Sequence, residues 1–131
     1  MNIQQSVKVC LKKWVTYNGR ASRSEMWWFY MFFIIYAIIA ISSFSLISGD
    51  NFVIISGYNF VIIYWFGFLV CNIVGSLSCI AVGIRRLHDL DRSGHWFWLY
   101  FLPIIGIVIL VVLFCMKSTE GANRFGSLDS Q

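Results

Sequence analysis

The densest group of polar side chains lies in the eleven residues from Arg85 to His95, which read RRLHDLDRSGH. An imidazole beside a carboxylate can act as a general base, and a guanidinium can bind a phosphate with two hydrogen bonds. His88, Asp91 and His95 are three and four residues apart, so they would share one face if the segment were helical. The chemistry that this segment admits is therefore acid–base catalysis, metal binding or recognition of an anion.

A structural role for the same segment is the simplest interpretation. Asp89 and Asp91 would neutralise neighbouring arginines in a tight turn, and Ser93 would cap the helix that follows. Gly94 and the aromatic residues after it interrupt any helix that would align the histidines. No nucleophile, phosphate-binding loop or second acid accompanies His88, so we expect no catalytic residue, no metal and no cofactor, and a protein that is not an enzyme.

Recognition of an anionic headgroup or of a membrane partner is the leading functional hypothesis. Arginines from two separate segments would meet at one face of the membrane, where each contributes about 1 kcal/mol near an anionic surface. The expected binding residues are Arg20, Arg23, Arg85, Arg86, His88, Asp89 and Arg92. The expected partners are membrane lipids, with a second copy of the chain or another inner-membrane protein as the alternatives.

The composition shows what must position these residues. Of the 131 residues, 59% are hydrophobic and 12% are charged, whereas a soluble domain has about 25% charged residues. The formal net charge of +4 comes from basic residues beside long apolar segments, which is typical of membrane topology and excludes nucleic-acid binding. The four cysteines lack the spacing of a zinc site or a disulfide framework: Cys10, Cys71, Cys79 and Cys115.

Three blocks without charged side chains span residues 26–48, 51–84 and 96–116. A transmembrane helix needs about 20 apolar residues, so the first and third blocks each predict one crossing. The middle block begins within a repeat, SGDNFVII at 48–55 followed by SGYNFVII. We interpret the first copy as an enlarged loop and predict one crossing at 60–84. Two short crossings in this block, four in all, are the alternative.

The flanks of the first and third blocks are alike. Arg23 and Ser24 precede one run of aromatic residues, and Arg92 and Ser93 precede another. A basic residue, a serine cap and an aromatic belt indicate a helix that starts at the cytoplasmic interface. Ser22 and Glu25, three residues apart, also fit a capping box at the start of the first helix. Two such starts require an even number of crossings between them. We therefore predict three transmembrane helices, with the N-terminus inside and the C-terminus outside.

Pro103 and Gly106 interrupt the third block, because proline removes a backbone donor and kinks a helix. A kinked crossing is the first interpretation. The second is a re-entrant hairpin that returns residues 117–131, a polar tail, to the cytoplasm.

Residues 1–18 predict a short amphipathic helix. Ile3, Val7, Leu11 and Trp14 recur at steps of three and four residues, the period of a helix face. Such a helix would lie in the plane of the lipid headgroups or pack on the protein's own cytoplasmic loop. The fold class is thus an all-α membrane protein with a single domain over 1–131.

A small and polar stripe in the second block supports a different function. Asn72, Ser76 and Ser78 lie among Gly67, Gly75 and Gly83. Small residues in membrane helices usually indicate close helix packing. The alternative is a subunit of a small transporter or channel in which the three polar residues line a contact or path.

Three stretches of the chain resemble a known family. They are GRASRSEMWWF from Gly19, RRLHD from Arg85 with the following RSG, and GANRFG from Gly121. This pattern is similar to that of the YhaH/YhaI-like bacterial inner-membrane proteins, domain of unknown function 805. The resemblance implies a helical inner-membrane protein without an established activity. Met26 and His95 depart from the family pattern, which further disfavours a metal site at His88 and His95.

Overall fold

The computed structural model describes residues 2–47 and 58–126. All regular elements in these ranges are helical, which confirms the predicted all-α class. They are α1 (Ile3–Lys12), α2 (Arg23–Ile47), α3 (Tyr58–Asp89), a 3-10 helix (Gly94–Phe101) and α4 (Ile105–Cys115). The predicted loop in the first copy of the repeat, residues 48–55, lies outside the described residues.

Two long apolar helices, α2 and α3, form an antiparallel pair. The Tyr30 hydroxyl donates to the Cys79 carbonyl at 3.1 Å, and near the far end Asn72 reaches Tyr36. Both helices are long and apolar enough to cross a membrane. At 1.5 Å per residue α3 is about 48 Å long, which exceeds the hydrocarbon thickness of about 30 Å.

Small residues of α3 allow this close approach. A Cβ atom added to Gly75 would collide with the Phe33 ring, and one added to Gly83 would lie 2.9 Å from the Tyr30 hydroxyl. The prediction of close packing is confirmed at these two glycines. At Gly67 the same position has no atom within 4 Å among the residues that the structure describes.

The structure differs from the predictions at the start of α2 and at the end of α3. The Ser22 hydroxyl accepts a hydrogen bond from the Glu25 N–H at 3.2 Å, so serine caps α2 as expected. The Glu25 side chain does not complete the capping box, because it pairs with Arg85 instead. Helix α3 continues to Asp89 rather than ending at residue 84, and it carries the arginines on its last turn.

The third apolar block is not one helix, so the prediction of a single kinked helix over 96–116 is wrong. The 3-10 helix runs back along α3, where its Phe97 ring lies under Gly83. The chain then turns at residues 102–104 and returns as α4, whose Leu110 and Phe114 are buried. The block is a helical hairpin, which was the second interpretation of Pro103.

The arms of this hairpin have matched lengths. Eight residues of 3-10 helix rise about 16 Å at 2.0 Å each, and the eleven residues of α4 rise about 16.5 Å. The reversal occurs at Ile104, whose φ of 63° and ψ of −68° define a γ-turn. The Ile105 N–H accordingly donates to the Pro103 carbonyl at 2.7 Å.

Helix α1 packs on the start of α2 and the end of α3, which corresponds to the second interpretation of the N-terminal segment. Ser6 and Cys10 form its buried face. Leu11 and Trp14 remain exposed, so the contact face is rotated from the predicted one. The helix ends at Lys12 and is shorter than the predicted 1–18.

Candidate functional site

Five charged side chains converge where α2 begins and α3 ends. They form the arginine cluster, which consists of Arg20, Glu25, Arg85, Arg86 and Asp89. All five are at most 1% exposed to solvent. The Ala21 N–H donates to the Arg85 carbonyl at 3.1 Å, and this bond joins the two helix ends.

Asp89 is the centre of one half of the cluster. One of its carboxylate oxygens accepts from the Arg20 Nε at 2.8 Å, and the other accepts from the Arg86 Nη1. A single carboxylate therefore pairs with one guanidinium group that precedes α2 and with another from the last turn of α3. Because all three groups are buried, each of them depends on the others for compensation of its charge.

Glu25 and Arg85 form the other half. Arg85 Nη1 donates to a Glu25 oxygen at 2.9 Å, and the Cys10 thiol of α1 lies 3.8 Å from the same oxygen. Burial, reinforced by the Glu25 carboxylate, raises the pKa of Cys10 to about 12. The thiol is therefore protonated at neutral pH and is not an activated nucleophile.

The cluster contains three guanidinium groups and two carboxylates, so one positive charge is left over. Carbonyl oxygens at the end of α4 supply part of its compensation. The Arg86 guanidinium donates to the Phe114 carbonyl at 3.3 Å and also to the Met116 carbonyl. The C-terminal end of a helix carries a partial negative charge, so this placement of a cation is favourable.

Residues 117–126, hereafter the tail, supply further carbonyl oxygens that compensate the excess positive charge. Arg20 Nη2 donates to the Thr119 carbonyl at 2.8 Å, and Nη1 donates to the carbonyls of Gly121 and Gly126. The Thr119 N–H returns a hydrogen bond to the Asp89 carbonyl at 3.1 Å. The tail is therefore bound at the end of the helix pair where α2 begins, an arrangement that does not fit the predicted C-terminus outside.

His88 is part of this tail contact. Its ring stacks on Phe125 with the ring centres 3.9 Å apart, and its carbonyl accepts from the Asn123 amide at 2.8 Å. Asp91 is exposed and pairs with Arg124 at 3.0 Å. His95 is exposed beyond the end of α3.

The structure thus does not align the histidines and Asp91 on one face. Helix α3 ends at Asp89, and the φ of Asp91 is 56°, so the helical spacing does not continue to His95. Among residues 2–47 and 58–126, no three His, Cys, Asp or Glu side chains are grouped as metal ligands would be.

The seven predicted binding residues divide into two sets. Arg20, Arg85, Arg86, His88 and Asp89 are brought together, but they are buried. Arg23 and Arg92 are exposed and lie at the rim of the cluster. Arg23 donates to the Cys115 carbonyl at 3.3 Å, while Arg92 lies over the Trp96 ring at 5.3 Å. Only this second set is available to an outside ligand.

Several residues of the site were missed by sequence reasoning. Cys10, Thr119, Asn123 and Phe125 all contact the cluster or its edge. One signal for them was present, because the charged segment has more arginines than acids and needs further acceptors. The GANRFG stretch, which the family resemblance had already singled out, provides two acceptors for Arg20, the carbonyls of Gly121 and Gly126.

The polar residues proposed for a transport path use their groups within α3. The Asn72 amide donates to the Phe68 carbonyl at 2.8 Å. The Ser76 and Ser78 hydroxyls donate to carbonyls one turn back, those of Asn72 and Val74. Such bonds satisfy a hydroxyl within its own helix.

The matches to known proteins extend over nearly the whole site. Residues 14–127 match the family model described as Protein of unknown function (DUF805). The chain is 39% identical over 119 residues to Inner membrane protein YhaI of Escherichia coli (strain K12), which covers 89% of this chain and 88% of the relative. It is 35% identical over 116 residues to Inner membrane protein YhaH of the same strain, with 88% of each covered.

No solved structure matches the chain. The matched range contains α2, α3, the hairpin and the tail, and therefore every residue of the arginine cluster. By the extent of the family match and the identity to these relatives, the chain belongs to the DUF805 family of inner-membrane proteins.

Proposed function

We propose that this protein crosses the inner membrane twice, keeps both chain ends in the cytoplasm, and binds anionic lipid headgroups through the exposed rim of the arginine cluster. It is not an enzyme in this proposal. The observation that carries it is the set of hydrogen bonds from Arg20 and Arg86 to the tail and the end of α4. These bonds return the chain to the level at which α2 begins.

Helix lengths support two crossings rather than three. Helices α2 and α3 are about 37 and 48 Å long, enough for a hydrocarbon core of about 30 Å. Each hairpin arm rises only about 16 Å, roughly half of that thickness. The hairpin would therefore enter and leave the membrane on the same side.

The turn of the hairpin limits the cost of placing irregular backbone at membrane depth. Pro103 has no N–H to satisfy. The N–H groups of Leu102, Ile105 and Gly106 donate to carbonyls within the hairpin, at 2.9, 2.7 and 3.2 Å. Unpaired backbone donors are costly in lipid, so these local bonds make a re-entrant hairpin admissible.

The distribution of basic residues supports a cytoplasmic location for the side of the membrane at which the arginine cluster lies. The basic residues flank the apolar segments at this end, and short basic loops stay inside. Six of these basic residues are exposed to solvent: Lys8, Lys12, Arg23, Arg92, Lys117 and Arg124.

Reporter fusions test the two-crossing topology. Green fluorescent protein fused after Gln131 should fluoresce, because it folds in the cytoplasm, and alkaline phosphatase fused there should be inactive. Fusions truncated after residue 57, between α2 and α3, are the control and should give the opposite pair of signals. Phosphatase activity from the fusion after Gln131 would show a third crossing and would refute this topology.

The proposed lipid binding rests on the exposed arginines at the rim of the cluster, Arg23 and Arg92. The buried arginines already have internal partners, whereas Arg23 and Arg92 present cations at the level where α2 begins. Arginine at this position attracts anionic headgroups and forms charge-assisted hydrogen bonds to phosphate.

Lipid retention tests this part of the proposal. The full-length protein is extracted from bilayers of equal parts phosphatidylglycerol and phosphatidylethanolamine, and its retained lipids are counted by native mass spectrometry. We expect enrichment of phosphatidylglycerol that declines with added salt, because exposed charges are screened. A retained ratio equal to that of the bilayer would contradict headgroup binding.

A further inference from the structure

We infer that the outer surface of the 3-10 helix is a binding groove for one anionic phospholipid, with the phosphate at Arg92 and an acyl chain along the hairpin. This inference rests on the proposed lipid binding and assigns it to one place. The groove has a volume of about 350 Å³ and is lined by Ser93, His95, Trp96, Trp98, Leu99 and Leu102.

The geometry of a 3-10 helix explains why these residues line one groove. Side chains three positions apart lie above one another in a 3-10 helix. Within Gly94–Phe101, Trp96 and Leu99 therefore lie in one row and His95 and Trp98 in the row beside it, while Ser93 and Leu102 flank the helix at its two ends. Phe97, on the remaining face, packs against α3. The groove lies between the two rows, and Leu99 at its inner edge also packs against the buried core.

The order of side chains along the groove matches the order of chemical groups in a phospholipid. Cationic and polar groups come first, at Arg92, Ser93 and His95. Two indole rings follow, and Trp98 is 68% exposed. Leu99 and Leu102 come last. Nine steps of 3-10 helix from Ser93 to Leu102 cover about 18 Å, which is sufficient for a headgroup and the upper part of an acyl chain.

Arg92 is the cation best suited to hold the phosphate. It makes no ion pair and no side-chain hydrogen bond within the part of the chain that the structure describes, and its guanidinium stacks over Trp96 at 5.3 Å. The stacking holds the side chain beside Trp96, which lines the groove, and leaves its donors free for a phosphate. Ser93 makes no side-chain capping bond, so its hydroxyl is also available.

A matched pair of arginine variants tests the groove. Full-length wild type, Arg92→Ala and Arg23→Ala are extracted from the same mixed bilayers, and the fraction of chains carrying phosphatidylglycerol is measured by native mass spectrometry. We expect Arg92→Ala to reduce this fraction about fivefold, the effect of one basic residue at an anionic surface. Arg23→Ala should reduce it by no more than twofold, a smaller loss than in Arg92→Ala, because the Arg23 side chain already donates to the Cys115 carbonyl and does not line the groove.

A third variant tests the apolar end. Leu102 is 54% exposed, so a larger side chain in Leu102→Trp can extend into the apolar end of the groove. It should reduce retention although Arg92 is intact, and circular dichroism should show unchanged helix content in all variants. Retention by Leu102→Trp equal to wild type would overturn the groove.

The other outcomes separate the groove from the more general proposal. Equal losses in Arg92→Ala and Arg23→Ala would overturn the groove and leave diffuse binding at the rim. Losses in neither variant, with lipid still retained by wild type, would overturn the groove as well. If wild type shows no preference for phosphatidylglycerol, the proposed function fails and the groove with it. Wild type that is dimeric and free of lipid would show that a second copy covers this surface.

Discussion

Replacing Asp89 with asparagine should destabilise the folded protein by about 3–5 kcal/mol, the usual cost of removing one partner from a buried ion pair. The side chain keeps its shape, so the change is one of charge. Arg20 and Arg86 would remain buried beside an amide, and the excess charge of the cluster would rise from one to two. We expect the tail to detach, because Arg20 holds it only while Asp89 holds Arg20.

Asp91 provides a matched control for this variant. It pairs with Arg124 at 3.0 Å, but both side chains are about half exposed. Asp91→Asn should therefore change stability by about 1 kcal/mol or less. Thermal unfolding in detergent measures the first effect, and limited proteolysis between residues 117 and 126 measures release of the tail. Equal unfolding temperatures and equal cleavage in the two variants would contradict the central role of Asp89.

Replacing Gly106 with alanine should open the hairpin. A Cβ atom at this position would collide with the backbone carbonyl of Leu99 and would lie 2.9 Å from the Leu102 Cβ. A backbone atom cannot rotate away as a side chain can, so the two arms must separate. We expect a loss of about 1–3 kcal/mol, as for overpacked cores, together with weaker contact between α4 and Arg86.

Gly67→Ala is the control for this change, because its added methyl group would meet nothing within 4 Å. Unfolding temperatures in detergent compare the two variants, and maleimide labelling of Cys115, which is exposed at the end of α4, reports the position of the hairpin. A Gly106→Ala protein as stable as Gly67→Ala, with unchanged labelling, would refute the close contact at Gly106.

Much of the architecture could be predicted from the sequence. The apolar blocks identified α2 and α3, because a membrane-spanning helix requires a long run of apolar residues whatever its neighbours are. In the described part of the middle block, residues 58–84 lie in one helix, which agrees with the single helix that the repeat favoured. Ser22 was identified as a cap because its bond to the Glu25 N–H is local.

The path of the chain through the third block could not be predicted from the sequence pattern. A kinked crossing and a hairpin require the same apolar side chains, because both lie among lipid and protein. The hydropathy of the block therefore does not distinguish them. Pro103 marked the place of interruption but not the direction of the chain after it. The turn at Ile104 and the contact between Gly106 and Leu99 decided that direction.

The sequence by itself determined that this is a helical membrane protein and which charged residues would gather at one end, since hydropathy and charge are properties of segments. Only the tertiary structure decided that Arg20, Arg85 and Arg86 are buried and that Arg92 is exposed. Burial depends on partners distant in the chain, such as Asp89 for Arg20 and the tail carbonyls for the excess charge. No local pattern encodes which of several equivalent arginines will meet those partners.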